Sequence, residues 1–501
     1  MTQRLWPVWA LSIGAFLLAT AMAWGVLGAM PHLEDEHANL FQAKVFASGQ
    51  ITAVEPAVSP AAFYVPFIVH FDGRVFGKYT PGYPLLLAAG ALINQPWIIN
   101  ALAAALSVWG VYLLGRDLYN HDVGVLAAAL GAVSPMAVML SGTLLAHTTT
   151  LAALTWGTWA FVRARRDGHA QRAGRSDERP LRRFAVLAGV TIGWALIARP
   201  WTAVAITLPL ALIAFNDLFN HPRLYFKRYA LMLAVCGLVV AIWPIYNGLA
   251  TGSPTTNTYT LWWPYDRVGF GPDAGRLEGG HTWERAAQNF NYDFPDLGVT
   301  LLGWPSIANV SLAWVAVLLG LLWPAHNRRD WALFVPPALL VIAHLAYWAR
   351  GGGLFGPRYY AEGLPFLWLI AARGLIKFSA QPWPRRVVQL ALPLLLAFNI
   401  VFVLEPRLLE GFRLYGQQRR DVDRIAAAQL APAIVFVHTQ VWTDFADLAW
   451  QNAPNLADSP VLFALDYGPI GNQALAQAYP GRKIYYYDRT QSIPLVAGRT
   501  P

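Results

Sequence analysis

Three adjacent carboxylates, Glu34, Asp35 and Glu36, follow the first long apolar segment of the chain. A carboxylate held at a membrane interface can remove a proton from an acceptor hydroxyl, so Asp35 and Glu36 are candidate catalytic residues. The alternative is a solvated helix start, because acidic side chains stabilise helix N-termini and residues 38–47 have the composition of a surface helix. Composition alone leaves both interpretations open.

A second group of residues is suited to holding an anionic substrate. It consists of Lys78 and Tyr79 in the turn Gly77–Gly82, Arg199 between two apolar segments, and Arg358, Tyr359 and Tyr360 at the start of a later one. An arginine at a helix N-terminus combines a guanidinium with the helix dipole, and a lysine ammonium is a compact charge that suits a phosphate. The alternatives are a lysine that extends to lipid headgroups and tyrosines of an interfacial belt.

The histidines near these groups have less specific patterns. His147 begins an apolar segment beside three threonines and is a candidate substrate-binding residue, although a histidine in a helix bundle more often makes only a structural hydrogen bond. His32 and His37 flank the acids, but no spacing defines a metal site there. The sequence assigns no cofactor, and the binding of a divalent metal ion is left as an open alternative.

The amino-acid composition indicates that the helices carrying these residues lie in a lipid bilayer. The chain has 501 residues, of which 56% are hydrophobic and 13% charged. With a mean hydropathy of +0.38, this excludes an ordinary soluble enzyme. The net charge of +9 comes from basic residues in short segments between apolar runs, which is typical of topology determinants and argues against nucleic-acid binding.

Apolar runs long enough to cross a bilayer predict eleven membrane spans. They lie near 8–30, 96–115, 123–140, 144–163, 184–198, 200–216, 229–249, 307–324, 331–349, 359–376 and 386–404. With the N-terminus inside, the basic loops near 163–183, 223–228, 328–329 and 373–386 all fall on the inner side. The segments 31–96, 250–306 and 405–501 are then outside.

The sequence of the C-terminal tail predicts a second, smaller structural unit. Residues 433–437, 461–465 and 483–487 are short β-rich runs, and helical stretches accompany them at 421–430 and 472–478. We therefore expect an all-α polytopic membrane bundle over residues 1–404, followed by a small extracytoplasmic α/β domain over 405–501.

Taken in order, four segments resemble the GT-C superfamily of membrane glycosyltransferases. Within it they resemble the branch of the protein O-mannosyltransferases and the lipid A aminoarabinose transferase. The segments are Asp35-Glu36, Gly77–Gly82, Ala198-Arg199-Pro200 and Gly356–Tyr360, and the resemblance reaches from the first span to about residue 376. It implies that Asp35 is the catalytic base and that Lys78 and Arg358 contact a carrier phosphate. Two residues depart from the family pattern. Glu34 makes the acid cluster a triplet, so Glu34 or Glu36 could share the role of the base. Thr80 stands where many relatives have a second proline.

The resemblance implies an enzyme of the cell membrane whose active site faces the extracytoplasmic side. Such an enzyme moves a hexose or pentose from a polyprenyl-phosphate carrier to a lipid, glycan or protein acceptor. A single displacement with one carboxylate base predicts inversion at the anomeric carbon. The alternative is a transporter or flippase of a lipid-linked or anionic substrate. The enzyme is favoured because the notable charges lie at the predicted outer rim and no inverted repeat is visible.

The predicted topology can be checked with reporter fusions. A fusion at Arg175, in the most basic loop, should report the cytoplasm, and one at Pro460, in the tail, should report the opposite side. If both fusions report the cytoplasm, the count of eleven spans and the side assigned to the candidate residues are wrong together.

Overall fold

The computed structural model describes residues 5–166, 178–322 and 328–498. Within these ranges the protein is mostly helical, with three small β-sheets. Much of the basic loop predicted at 163–183 lies outside the described residues.

Most helices of the first half of the chain contribute to one large apolar core, which also takes in second-half residues such as Leu301 and Phe366. The helices of the first half are α1 (Trp6–Ala21), α2 (Glu34–Ala47), α3 (Gly82–Leu92), α4 (Ile98–Leu118), α5 (His121–Ala132), α6 (Pro135–Ser141), α7 (His147–Arg166), α8 (Glu178–Ala198), α9 (Pro200–Asn220), α10 (Pro222–Val240) and α11 (Ile242–Thr251). A π-helical turn, Met22–Val26, extends α1.

The second half adds further helices, several of which contribute to the same apolar core. They are α12 (Thr258–Trp262), α13 (Trp283–Leu302), α14 (Ala313–Leu322), α15 (Arg328–Leu345), α16 (Leu364–Phe378), α17 (Pro382–Phe398), α18 (Glu405–Ala427), α19 (Trp442–Ala449) and α20 (Gly468–Ala478). A π-helical stretch, Asn399–Leu404, joins α17 to α18, and short 3-10 helices lie at Pro60–Phe63, Arg358–Gly363 and Leu456–Asp458.

Six helical stretches of the described residues are long and apolar enough to cross a membrane. They are Trp6–Val26, Ile98–Leu118, Leu181–Ala198, Pro200–Asn220, Pro222–Thr251 and Pro382–Ala427, and the pair α5 and α6, bent by 60°, makes a seventh if counted as one span. Leu233 and Leu390 on these helices are 73% and 71% exposed, as expected for side chains that face lipid. The chain is therefore an integral membrane protein. The spans predicted at 144–163, 307–324, 331–349 and 359–376 coincide with α7, α14, α15 and α16, which fall outside this group, so eleven spans are not confirmed.

The break between the spans predicted at 184–198 and 200–216 is present at Arg199, although each flanking helix has 21 residues. Helix α8 ends at Ala198 and α9 begins at Pro200, with Arg199 in a non-helical conformation (φ −144°, ψ 77°). Proline is tolerated at the first position of a helix because the N–H that it lacks would have no partner within the helix there. The break frees the Arg199 side chain from the regular packing of either helix.

A small antiparallel sheet lies between α2 and α3. Its strands are β1 (Ala53–Val54), β2 (Ile68–Phe71) and β3 (Arg74–Gly77), in the order β1-β3-β2. Two further strands, β4 (Ser306–Ile307) and β5 (Val310–Ser311), form a hairpin where a continuous helix was predicted over 307–324.

The tail contains a four-stranded sheet that includes the three predicted β-runs. The strands are β6 (Ala433–Val437), β7 (Val461–Leu465), β8 (Lys483–Tyr487) and β9 (Leu495–Ala497), in the order β7-β6-β8-β9. Strand β6 is parallel to both β7 and β8. Val435 and Phe445 share one apolar core with Val45 of α2 and Val75 of β3, so the tail packs directly on the segment that follows the first span.

One glycine allows α3 to approach the end of α8. A Cβ atom added at Gly82 would lie 2.6 Å from the backbone carbon of Ile197, which is inside van der Waals contact. We expect Gly82→Ala to lower the thermal midpoint of the purified protein, because overpacking of this kind costs ~1–3 kcal/mol.

Gly237→Ala in α10 is the matched control, since no atom lies within 4 Å of its added Cβ. It should leave the midpoint unchanged or raise it, because alanine has the higher helix propensity. Equal midpoints for the two variants would contradict the close contact at Gly82.

Candidate active site

A cavity of about 810 Å³ lies where the segment after the first span, the break at Arg199 and the start of α16 meet. Of the residues predicted to bind substrate or to act in catalysis, six line it: Asp35, Tyr79, His147, Arg199, Arg358 and Tyr359. Glu36, Lys78 and Tyr360 do not line it. The structure therefore brings together most of the predicted set from segments that are far apart in the chain.

Asp35 lies in the first turn of α2 and faces this cavity. The Tyr79 hydroxyl donates a hydrogen bond to Asp35 Oδ1. Arg358 Nη2 lies 3.2 Å from Asp35 Oδ2, and the Asp35 side chain keeps 24% of its surface exposed. Both oxygens of the carboxylate are thus oriented by partners, while part of the group stays accessible from the cavity.

Glu36 is placed differently, because its side chain is completely buried. Glu36 Oε2 accepts the backbone N–H groups of His32 and Leu33 at 3.0 and 3.1 Å, and Oε1 accepts that of Leu144 at 2.6 Å. Burial raises the pKa of the Glu36 carboxyl to about 7, although these hydrogen bonds act in the opposite direction. Glu36 thereby caps the start of α2 and ties it to the segment before α7.

Glu34, the third acid of the cluster, is partly buried beside Asp35. Burial is the main cause that raises the pKa of its carboxyl, and the neighbouring Asp35 adds to the effect. The three acids therefore occupy three different environments within one helical turn.

Lys78 is 3% exposed and is paired with a carboxylate that sequence reasoning missed. Its Nζ lies 3.0 Å from Asp266 Oδ2 and 3.6 Å from the centre of the Phe67 ring. Asp266 Oδ1 accepts hydrogen bonds from the Tyr347 hydroxyl at 2.8 Å and from Trp348 Nε1 at 3.1 Å. Lys78 is thus held behind the cavity wall, of which Asp266 is a part.

Arg199, His147 and Glu362 form a second charged group at the cavity. Arg199 Nε lies 3.0 Å from Glu362 Oε1, and Arg199 Nη1 lies 3.0 Å from His147 Nε2. Glu362 is fully buried, so the guanidinium is its counter-ion in an environment that would otherwise strongly disfavour a carboxylate. The resemblance pointed to Arg199, but Glu362 four residues after Arg358 was not identified as its partner.

The tyrosines that follow Arg358 point in different directions. Tyr359 lines the cavity and stacks against His344, with ring centroids 5.4 Å apart. Tyr360 is 7% exposed and packs edge-on against the same histidine at 6.0 Å, away from the cavity. Of the two tyrosines that follow Arg358, only Tyr359 is in a position to contact a ligand in the cavity.

Arg267 is a cavity residue that sequence reasoning also missed. Its side chain is exposed at the cavity, and among the described residues it has no ion-pair partner, unlike Lys78, Arg199 and Arg358. The signal available in the sequence was the run Trp262–Tyr265 followed by Asp266 and Arg267 in an outer segment. Charged residues beside aromatic residues in a predicted loop indicate a candidate binding segment, but the sequence does not show that Asp266 pairs with Lys78 while Arg267 stays unpaired within the described part of the chain.

The two histidines considered for a metal make separate contacts. The His32 ring lies between Gln418 and Leu27, whereas the His37 ring packs edge-on against Trp442 at 5.8 Å. Burial lowers the pKa of His32 to about 4 and that of His37 to about 3. Within residues 5–166, 178–322 and 328–498, no group of three or more His, Cys, Asp or Glu is arranged to hold a metal ion.

Residues 80–245 match the sequence model of a family described as dolichyl-phosphate-mannose-protein mannosyltransferase. This part of the chain contains His147 and Arg199 but not Asp35 or Arg358. No curated protein matches the chain significantly in sequence.

Solved structures resemble the chain over nearly its whole length. ArnT from Cupriavidus metallidurans bound to undecaprenyl phosphate superposes with a TM-score of 0.57 at 12% identity, covering 96% of this chain and 92% of ArnT. The archaeal oligosaccharyltransferase AglB from Archaeoglobus fulgidus, in complex with an inhibitory peptide and a dolichol-phosphate, gives a TM-score of 0.53 at 12% identity. The alignment with AglB covers 96% of this chain and 69% of AglB. At these identities the likeness concerns the fold.

The family match and the shared architecture together confirm the resemblance inferred from the four sequence segments. The chain has the fold of the GT-C superfamily of membrane glycosyltransferases, and its residues 80–245 match the mannosyltransferase family of that superfamily.

Proposed function

We propose that this protein transfers a sugar from a polyprenyl-phosphate carrier to an acceptor on the extracytoplasmic side of the membrane, with inversion and with Asp35 as general base. The observation that carries the proposal is the position of the Asp35 carboxylate at a large cavity whose other charged lining groups include Arg199, Arg267 and Arg358. A base facing several cations is the arrangement that displacement of an anionic leaving group requires.

The reaction breaks one bond and forms another at the anomeric carbon. The acceptor oxygen attacks that carbon, the bond to the carrier phosphate breaks, and Asp35 takes the acceptor proton. The leaving phosphate gains negative charge as the bond breaks, so fixed guanidinium groups stabilise the transition state more than the ground state. Arg358 is suited to this role because its Nη1 donates to the Gly351 carbonyl at 3.3 Å, which holds the guanidinium beside Asp35.

Arg267 is the further phosphate ligand in this proposal. A guanidinium without a carboxylate partner has its full charge available for an incoming anion, whereas Arg199 and Arg358 already face Glu362 and Asp35. Lys78 keeps its proposed contact with the phosphate only if its ammonium exchanges Asp266 for a phosphate oxygen. Because the pair is buried, breaking it leaves an unpaired charge with a large desolvation penalty unless a phosphate oxygen takes the place of the Asp266 carboxylate beside Lys78.

The carrier class is supported by the neighbours and by the apolar part of the cavity wall. ArnT is bound to undecaprenyl phosphate and AglB to a dolichol-phosphate. In this chain Trp201, Trp243 and Pro244 line the same cavity as Arg199, and Trp201 is 39% exposed. An isoprenoid chain that leaves the cavity past these side chains would enter the bilayer without crossing a charged surface.

The proposal includes the number of membrane crossings and the side of the membrane on which the tail lies. Helices α7, α14, α15 and α16, together with the bent pair α5 and α6 counted as one span, would complete eleven crossings with the N-terminus inside. Residues 405–501 would then form the extracytoplasmic α/β unit. This arrangement puts the cavity on the side where lipid-linked sugars meet lipid, glycan or protein acceptors.

The first test concerns the base. Asp35→Asn keeps the size of the side chain and can hydrogen-bond an acceptor hydroxyl, but it cannot accept the proton. We expect sugar transfer by the purified variant to fall by ~10²- to 10⁴-fold while carrier binding is retained, as measured with a radiolabelled sugar donor and an acceptor extract.

Glu34→Gln, one residue away, is the matched control and should have a much smaller effect on transfer. Glu36→Gln is measured beside it and should act mainly on the thermal midpoint, because Glu36 accepts three backbone N–H groups away from the cavity. Wild-type transfer by Asp35→Asn would show that another group is the base.

The second test concerns the phosphate. Arg267→Ala should weaken binding of undecaprenyl phosphate by ~10- to 100-fold, the loss expected when a charge-assisted hydrogen bond is removed. Arg276→Ala is the control, because Arg276 is exposed on the same outer segment but does not line the cavity. Binding measured by tryptophan fluorescence in detergent should therefore distinguish the two variants, and equal affinities would remove Arg267 from the site.

A further inference from the structure

The start of the helix that carries Asp35 is in contact with the tail of the chain. His32 Nδ1 lies 2.6 Å from Gln418 Oε1 of α18, and His32 Nε2 lies 2.7 Å from the Leu27 carbonyl oxygen. The same ring stacks on Tyr415 of α18, with centroids 3.9 Å apart and planes inclined by 20°. His32 is 3% and Gln418 9% exposed, so this contact is shielded from water.

The turn between His32 and Glu36 is fixed from two sides. On the bundle side, Glu36 Oε1 accepts the Leu144 backbone N–H, and Asn39 Nδ2 donates to the Leu144 carbonyl at 3.3 Å. On the tail side, the His32 ring is held by α18. Glu36 also accepts the His32 backbone N–H, so the two anchors are joined within one turn. Asp35 lies between them.

The tail also holds the other end of α2. Lys44 Nζ donates to the carbonyl oxygens of Trp450 and Asn452 at 2.5 and 3.3 Å, just after α19. Val45 belongs to the same apolar core as Ile425 of α18. The contact therefore runs along the helix and is not confined to one hydrogen bond.

We propose that α18 is a positioning element of the active site, and that Gln418 is a positioning residue that acts through His32 to hold the Asp35 carboxylate in place. The proposal rests on the proposed function, in which Asp35 is the general base. It gives the tail a role in the transfer reaction that does not require the tail to touch either substrate.

The expected effect follows from the geometry that proton transfer needs. A general base must lie within hydrogen-bond distance of the proton that it removes, and a displacement of about 1 Å can cost ~10²-fold in rate. Gln418→Leu removes the polar contact with His32 while nearly keeping the volume. We expect kcat to fall by ~10- to 100-fold with a much smaller change in KM for the lipid-linked donor, because the cavity residues Arg267 and Arg199 lie on other segments of the chain.

Gln417→Leu is the matched control. It makes the same chemical change one residue earlier on α18, where the side chain contacts Asp421 and Arg420 instead of His32. Gln418→Met is measured in parallel, so that a folded variant without the contact is available if the leucine variant aggregates. Wild-type kcat in the folded Gln418 variants, or an equal loss in Gln417→Leu, would overturn the proposal.

A double-mutant cycle tests whether Gln418 acts through His32. His32→Phe keeps a ring that can stack on Tyr415 but removes both ring nitrogens. If the effect passes through His32, adding Gln418→Leu to His32→Phe should lower kcat little further, which is a strong coupling between the two positions. Additive losses would show that Gln418 acts elsewhere and would overturn the proposal.

Hydrogen exchange separates this proposal from the proposed function. If the wild-type protein transfers no sugar, the proposed function fails, but the link between α18 and α2 is still measurable. Backbone amides of residues 36–40 should then exchange faster in Gln418→Leu than in Gln417→Leu, since local stability at the start of α2 is lost. Equal exchange in the two variants would show that α18 does not hold this turn.

Discussion

The ion pair between Asp35 and Arg358 is the interaction on which the rest of the site depends. It joins residues 323 positions apart in the sequence, and both residues line the cavity. A carboxylate and a guanidinium in a partly buried setting stabilise each other only when both are held in place. The Tyr79 hydroxyl and the Gly351 carbonyl provide that support, one on each partner. The same contact therefore organises the fold around the cavity and orients the candidate base.

Two further cations of the site, Lys78 and Arg199, follow the same rule, since each is paired with a carboxylate from a different segment. Lys78 meets Asp266, and Arg199 meets Glu362. Unpaired charges at these buried positions would carry a large desolvation cost, and the pairs also tie distant loops to one another. Arg267 differs because it is exposed at the cavity and has no such partner among the described residues. The distribution of counter-ions thus distinguishes charges that hold the structure from a charge that is available to a ligand.

The tail adds a constraint of another kind. The helix that begins in the bundle at Pro382 continues through a π-helical stretch to Ala427, so the tail cannot move freely relative to the membrane helices. Its apolar core takes in Val45 of α2 and Val75 of β3, residues of the segment that carries the candidate base. The tail is therefore continuous with the scaffold of the cavity in packing as well as in sequence.

Local pattern in the sequence determined the elements of this protein. Long apolar runs predicted membrane helices, Arg199-Pro200 predicted the break between α8 and α9, and short β-rich runs predicted β6, β7 and β8. These features depend on neighbours a few residues away, which is the range that a single sequence displays. The run at 307–324 was misread because the hairpin of β4 and β5 interrupts an otherwise apolar segment.

Only the tertiary structure decided which charged residues meet. Successive residues on a helix point about 100° apart, so Asp35 faces the cavity while Glu36 is buried against Leu144, although the two are adjacent and chemically alike. Lys78 and Asp266, or Arg199 and Glu362, lie far apart in the chain, and no local pattern relates them. The sequence by itself therefore determined the long apolar helices of the chain and the types of group at the site, but not the number of membrane spans. The pairing of those groups depends on how the helices pack, because burial makes each charge require a partner that only the folded chain can supply.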